Sequence, residues 1–285
     1  VSASRVRQAL NDGDFHKAAA LVPETTVPYL LAQLAVNALQ QELDTTPKPG
    51  LIDRMDNGAH TDMNYTLMLR SITALRPYFA ALAVSGFQQQ LPDVRKIQKV
   101  GIEAEQAMLH ATHGVNTHKG ALFALGLALA ATSHLICNGQ LTTLSLQKTV
   151  ALLASQIPDT TDTHGSKVVS EHHVQGALAM AQSGYELLFT NWAPFLQTLK
   201  NDPFAHHKTL LRIMVTLDDT NVYHRKGADV AQQVKTDAAS LLDHFSEKNL
   251  ENINQIYNAQ GISPGGSADM LALTIFVDSI LKNYI

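Results

Sequence analysis

The sequence predicts an all-α protein: a single multi-helix globular domain with its site formed by the loops between helices. Three observations point there. Apolar residues recur at helical spacing through nearly the whole chain. No run of alternating β-branched residues persists long enough for a strand. Cap and stop signals follow one another closely, so helices of ordinary length join through short loops, with no low-complexity linker and no solenoid repeat. A length of 285 residues mildly favours two domains. The short loops favour one helical domain, residues 41–285, with residues 1–40 as a helical N-terminal extension packed on it.

The elements follow in order. Residues 61–82, "TDMNYTLMLRSITALRPYFAAL", place Met63, Leu67, Ser71, Leu75 and Leu82 near one face. Residues 93–112 do the same with Ile97, Gly101, Ala104 and Met108, with Asp93 as N-cap and Gly114 as stop. The stretch from Ala121 to Ala131 has no polar side chain; a helix apolar on every face is buried, and this one is too short for a bilayer, which needs about 20 residues. Thr142 or Thr143 caps the next helix, which Pro158 ends. Asp202-Pro203 reads as a cap with Pro at the first helical position. Later helices are expected at about 168–183, 185–199, 227–245, 249–260 and 267–283.

A net charge of −4 gives no global field for nucleic acid or anionic membrane, so neither is an expected partner. Cys137, the sole cysteine, excludes an internal disulfide and suits a reducing compartment; it reads as a buried thiol. The first residues lack the apolar core of a signal peptide, and the expectation is a soluble cytoplasmic protein.

Glycine, histidine, charge and amide groups concentrate in five loops, where function tends to sit. In "TTPKPGLIDRMDNGAHTDM" (45–63), Pro47 and Pro49 stiffen the backbone around Lys48, with Asp53, Asp56, Asn57, His60 and Asp62 following. In "EAEQAMLHATHGVNTHKG" (103–120), Glu105 lies on one helix while Asn116, Thr117, His118 and Lys119 open the next; Lys119 opposes the helix dipole unless an anion joins it. "PDTTDTHGSK" (158–167) contains His164. "TLDDTNVYHRKG" (216–227) puts Asp218 and Asp219 at a helix end, where a cation such as Mg²⁺, Arg225 or Lys226 would offset them; Asn221 follows. "GISPGGSADMLALTIFV" (261–277) offers Gly265, Gly266 and Ser267 as an oxyanion cradle, with Asp269 in the favoured first helical turn. Each loop alone reads as ordinary capping or turn chemistry. The pairs His172-His173 and His206-His207 read as surface residues, and no zinc motif occurs.

Together the five segments resemble one family, the triphosphoribosyl-dephospho-coenzyme A synthases that serve citrate lyase, with a sister group serving malonate decarboxylase. The pieces "TTPKPGLIDRMDNGAHTDM", "EAEQAMLHATHGVNTHKGALFALG", "THG", "DTNVYHRKG" and "SPGGSADMLALT" stand in the family's order. The chain departs at Thr61, at His113 and after "THG". The resemblance implies an all-α fold and a transferase joining the triphosphoribosyl group of ATP to the 2′-hydroxyl of 3′-dephospho-CoA, with release of adenine. It implies a product that a downstream holo-citrate lyase transferase uses as a prosthetic-group precursor. A homo-oligomer is left open.

That reaction breaks an N-glycosidic bond through an oxocarbenium-like centre. For the triphosphate it assigns Lys48, Lys119, Arg225 and the 264–267 turn, with Mg²⁺ expected on Asp53, Asp218 and Asp219. For the developing cation and the attacking hydroxyl it assigns Glu105, Asp53 and Asp219, and for proton donation to adenine His118 or His60. Asn57, Asp62, Asn116, Thr117, His164, Asn221 and Ser267 complete the expected substrate contacts. Two other readings stay open: a metal-dependent nucleotide phosphohydrolase on an all-α fold, and a non-catalytic nucleotide-binding protein.

Overall fold

A computed structural model describes residues 3–12, 14–158, 168, 172 and 174–284. The helices in chain order are α1 (Ala3–Asn11), α2 (Phe15–Ala20), α3 (Val27–Asp44), α4 (Tyr65–Gly86), α5 (Val94–Ala111), α6 (Lys119–Cys137) and α7 (Thr143–Ala154). After these come α8 (Ala177–Gln182), a π-helical turn (Leu188–Trp192) running into α9 (Ala193–Thr198), α10 (Ala205–Thr216) and α11 (Thr220–Lys226). The chain finishes with α12 (Ala228–Asp243), α13 (Glu247–Gln260) and α14 (Gly265–Tyr284). No strand occurs among the described residues.

The helices start where short polar side chains satisfy free N–H groups. The Asn64 side chain accepts from the Leu67 N–H at 2.9 Å, and Asp93 from the Arg95 N–H at 3.0 Å. Thr142 and Ser145 bond reciprocally to each other's backbone N–H as a capping box. The helix after Asp202-Pro203 begins two residues later than the Pro signal indicates. Asp202 spends its carboxylate on the Phe204 N–H (2.8 Å) and on Lys208 (2.6 Å), which tightens a turn ahead of Ala205.

The apolar helix α6 is the axis of the fold. Ala124 through Ser133 are buried without a break, and α3, α4, α5, α7 and α14 pack around it. Both α4 and α6 are long and apolar enough to cross a membrane, yet 72% of the α6 window lies inside the fold, as befits a core helix. Position 40 falls inside α3, which continues to Asp44 and packs on α4 and α14. The predicted face of residues 61–82 holds: Met63, Ser71, Leu75 and Leu82 are buried, and Leu67 is half-buried. The His206-His207 pair corrects the surface reading. His207 is buried and His206 half-buried, because α10 packs against both α12 and α14.

Candidate active site

The loop between α3 and α4 turns its lysine inward. Lys48 is 1% exposed, pairs with the carboxylate of Glu42 on α3, and donates to the Glu42 carbonyl at 2.8 Å. Burial raises the Glu42 carboxyl above its ordinary range, and the Lys48 charge opposes that rise. Asp53 organises the loop. It accepts from the backbone N–H groups of Lys48 (2.9 Å), Met55 (2.7 Å) and Asp56 (3.2 Å). Asp56 ties the loop to α13 by accepting from Asn254 (3.0 Å) and Asn258 (3.2 Å), across the turn at exposed Asn57 and at Gly58. His60 Nε2 bonds the Ser263 hydroxyl at 2.8 Å, while exposed Asp62 lies 3.8 Å from its other nitrogen. Burial and the Arg225 charge lower the His60 pKa.

At the mouth of α6 the polar residues divide. Lys119 is exposed, and the anion that joins it is Glu105 of α5, at 2.6 Å. His118 holds the N-cap position of α6, and Asn116, two residues before it, accepts from the Lys119 N–H at 3.2 Å. His118 turns inward and is 3% exposed. Its Nδ1 bonds the Ser71 hydroxyl of α4 at 2.7 Å, and Thr117 donates to the same hydroxyl at 2.7 Å. Its Nε2 is buried without a partner. Burial, with the nearby Lys48 charge, pushes the imidazole down to about 3, so it is neutral at pH 7.

The Ser-Pro-Gly-Gly-Ser turn is the oxyanion cradle its sequence suggests, and the oxyanion it holds is the protein's own Asp219. One Asp219 oxygen accepts from the N–H of Asn221 (3.1 Å) and of Gly266 (3.2 Å). The other accepts from the Ser267 N–H (2.7 Å) and hydroxyl (2.9 Å). A Cβ on Gly266 would fall 2.9 Å from Asp219 Oδ1, so this approach requires glycine. Gly265 lies against the Asn221 amide. Burial still raises the Asp219 pKa against these donors. Asp218 turns the other way, onto Lys235 of α12 at 2.5 Å. The two aspartates therefore do not share a cation. Asp219 caps α11 rather than ending α10, which relieves the dipole penalty expected from the sequence.

The tentative Mg²⁺ ligands consequently do not fit a resident metal. Asp53 and Asp219 are engaged by N–H donors, Asp218 by a lysine, and no three His, Cys, Asp or Glu gather for a metal among the described residues. Arg225 is exposed, near enough to His60 to act on it. His164 lies outside the described residues.

The structure adds groups that the candidate set left out. Asp269 is the fifth residue of α14, past the first turn in which its sequence placed it, because the helix already begins at Gly265; it receives the Ala121 N–H of α6. A Cβ on Gly120 would lie 2.0 Å from its Oδ2, so the glycine of "HKG" is what lets the carboxyl in. Burial, with Glu42 and Asp219 close by, raises Asp269 well above the carboxylate range. Tyr185, at φ 52° and 4% exposed, keeps its hydroxyl without a partner and feels the Asp269 charge. Glu42 was missed because it reads as helix filler. Asp269 and Gly120 stood inside the quoted motifs, and their pairing was the available signal.

Fold and site define an all-helical enzyme that keeps carboxyls, a lysine and a neutral histidine in a dry interior, with cations on the outer faces of the same loops. The family model described as "ATP:dephospho-CoA triphosphoribosyl transferase" matches residues 28–284, and the chain belongs to that family. A Haemophilus ducreyi protein named "2-(5''-triphosphoribosyl)-3'-dephosphocoenzyme-A synthase" is 34% identical, over 88% of each chain. A Pseudomonas syringae pv. tomato protein named "Probable 2-(5''-triphosphoribosyl)-3'-dephosphocoenzyme-A synthase" is 36% identical, over 88% of this chain and 91% of its own. An Archaeoglobus fulgidus crystal structure superposes with a TM-score of 0.49 at 14% identity, over 76% of this chain and all of that one.

Proposed function

We propose that this enzyme transfers the triphosphoribosyl group of ATP to the 2′-hydroxyl of 3′-dephospho-CoA and releases adenine. The observation that supports it is the division of charge. Glu42 and Asp219 are buried and act electrostatically on Asp269, whereas Lys119 and Arg225 stand exposed on the loops that build the same site. ATP has the matching polarity. Its triphosphate, near −4, seeks the cations, and its C1′ centre turns cationic as the glycosidic bond breaks, which a carboxylate facing it stabilises. Lys119 exchanges Glu105 for a phosphate oxygen when the nucleotide binds. Mg²⁺ arrives as the companion of the triphosphate, part of the substrate. Asp53 and Asp219 hold the backbone of the Lys48 loop and of the 264–267 turn, and neutral His118 offers its free Nε2 as a hydrogen-bond partner. A helical interior excludes the water that would otherwise hydrolyse the activated ribose.

The product serves in the cytoplasm as the prosthetic-group precursor of citrate lyase, passed to a holo-citrate lyase transferase. The test is incubation of the purified protein with ATP, Mg²⁺ and 3′-dephospho-CoA, following adenine, phosphate and the adduct by chromatography with mass detection. Adenine that appears only with dephospho-CoA, together with an adduct of the right mass, is the expected result. Phosphate without adenine would identify a phosphohydrolase, and bound ATP without turnover a nucleotide-binding protein.

A further inference from the structure

We infer that Ser71 is a positioning residue of this site: it donates to Nδ1 of His118 and so fixes the single ring proton on Nε2, which meets a substrate oxygen as a hydrogen-bond donor; this rests on the transfer reaction proposed above. A hydroxyl has one proton to give. Thr117 gives its own to Ser71 Oγ at 2.7 Å, and Ser71 Oγ lies 2.7 Å from His118 Nδ1. Having accepted one hydrogen bond, Ser71 has its own proton left for the ring. It is 0% exposed, so bulk water does not compete for that proton. The usual outlet of a serine or threonine inside a helix is the carbonyl one turn back. Thr73 of the same helix makes that choice, donating to the Leu69 carbonyl at 2.9 Å. Ser71 bonds the imidazole instead. An Nδ1 that accepts carries no proton, so the ring is neutral and its N–H is on Nε2.

The residue is held from three helices. The His118 N–H donates to Met108 Sδ of α5 at 3.3 Å, its carbonyl accepts the Leu122 N–H of α6 at 2.8 Å, and Ser71 ties the ring to α4. His118 is 3% exposed, and Nε2 is left without a partner. A buried N–H with no acceptor is costly, and a core built only for packing has no need of a three-residue relay to present one. What binds supplies the acceptor, and two features name its chemistry. His118 is the N-cap of α6, where the free N–H groups of the first turn favour negative charge, and the Lys48 ammonium acts on the same ring. An electron-rich oxygen without a proton suits both. Phosphate oxygens of this kind occur on ATP and on 3′-dephospho-CoA alike.

The two tautomers do opposite work. With its proton on Nε2 the ring attracts such an oxygen. With the proton on Nδ1 it would set one lone pair against another. Ser71 thus decides whether His118 holds or repels the ligand, and acts only through the imidazole.

Nitrogen NMR of enzyme carrying isotope-labelled histidine reads the tautomer, with His118 assigned by the signals lost in His118→Gln. The expected pattern at pH 7 is a protonated Nε2 and a bare Nδ1. A ring with its proton on Nδ1, or on both nitrogens, overturns the inference, and this reading needs no Ser71 variant to fold. ATP with Mg²⁺ and 3′-dephospho-CoA are then added separately. A shift of the Nε2 signal with one of them is expected and says which substrate supplies the oxygen; no shift with either overturns the donor role. Ser71→Ala should release the fixed tautomer and lower kcat/KM by about 10–100-fold, the usual cost of losing a group that orients a functional histidine. Ser71→Thr keeps the hydroxyl and should restore both. A Ser71→Ala enzyme with the wild-type tautomer, or with wild-type kcat/KM, overturns the positioning role; so does a folded Ser71→Thr enzyme no better than the alanine variant. If wild-type enzyme releases no adenine from ATP and dephospho-CoA, the transferase reading fails while the tautomer measurement stands, so the two failures are told apart.

Discussion

Replacing Lys48 by methionine isolates the energetics of the buried pair. The substitution keeps the length of the stem and removes the ammonium, which in the native protein serves both the Glu42 carboxylate and the Glu42 carbonyl. Glu42 is 4% exposed, so without Lys48 it protonates rather than remain an unpaired buried charge. Starting from the ordinary value of 4.5, protonation at pH 7 costs about 3.4 kcal/mol at 1.36 kcal/mol per pH unit. The lost bond to the carbonyl adds about 1 kcal/mol. Because burial already raises Glu42 in the native protein, the deficit at pH 7 is at most about 4 kcal/mol, which lowers the melting temperature by up to roughly 7 °C in a chain of 285 residues. The sign of the pH dependence follows. In the variant, folded Glu42 holds a proton that the unfolded chain gives up above pH 4.5, so stability falls as pH rises from there. At pH 5 the deficit shrinks to roughly 2 kcal/mol by the same arithmetic. Urea unfolding followed by circular dichroism at both pH values measures it. A deficit below about 1 kcal/mol at pH 7, or one independent of pH, would refute the reasoning. Replacing Glu42 as well, by methionine, should recover most of the stability while activity stays lost.

Other substitutions probe the site from different sides. Lys119→Ala removes an exposed pair with Glu105, so stability should change by less than about 1 kcal/mol while KM for ATP rises; unchanged KM removes Lys119 from the phosphate contacts. Ser267→Ala takes away the hydroxyl that donates to Asp219 at 2.9 Å and should cost about 1.5–3 kcal/mol in urea unfolding, more than Ser71→Ala, whose hydroxyl serves neutral partners. His118 is neutral in the folded protein down to about pH 3 but charges near 6.5 when unfolded, so its contribution to stability is complete above pH 6.5 and drains as pH falls toward 3. His118→Gln should thus flatten the acid limb by up to about 1.4 kcal/mol per pH unit, and superimposable limbs would count against a buried neutral imidazole.

Much of the fold was legible along the chain because helices are local objects. Their bonds close over four residues, and the caps at Asp93 and Thr142 sit beside the N–H groups they serve. The apolar run of α6 required burial whatever surrounded it. The five loops stood out by composition.

Partner choice was another matter. Lys119 and Glu105 were both picked out, yet nothing local said that each would satisfy the other. Ser267 and Asp219 are 48 positions apart, and the cradle that looked ready for a ligand closes on a side chain of its own chain. Lys48 read as a grip on the triphosphate and lies 1% exposed on Glu42; His207 read as surface and lies buried; Asp218 and Asp219 read as a pair and take different partners. Element type, helix ends and the roster of reactive residues follow from periodicity and short-range hydrogen bonding, which act within a few residues. Which carboxyl is paired, which is saturated and which keeps a proton depends on how α3, α6, α11 and α14 cross. Desolvation and charge coupling act through space, among groups that the chain alone holds far apart.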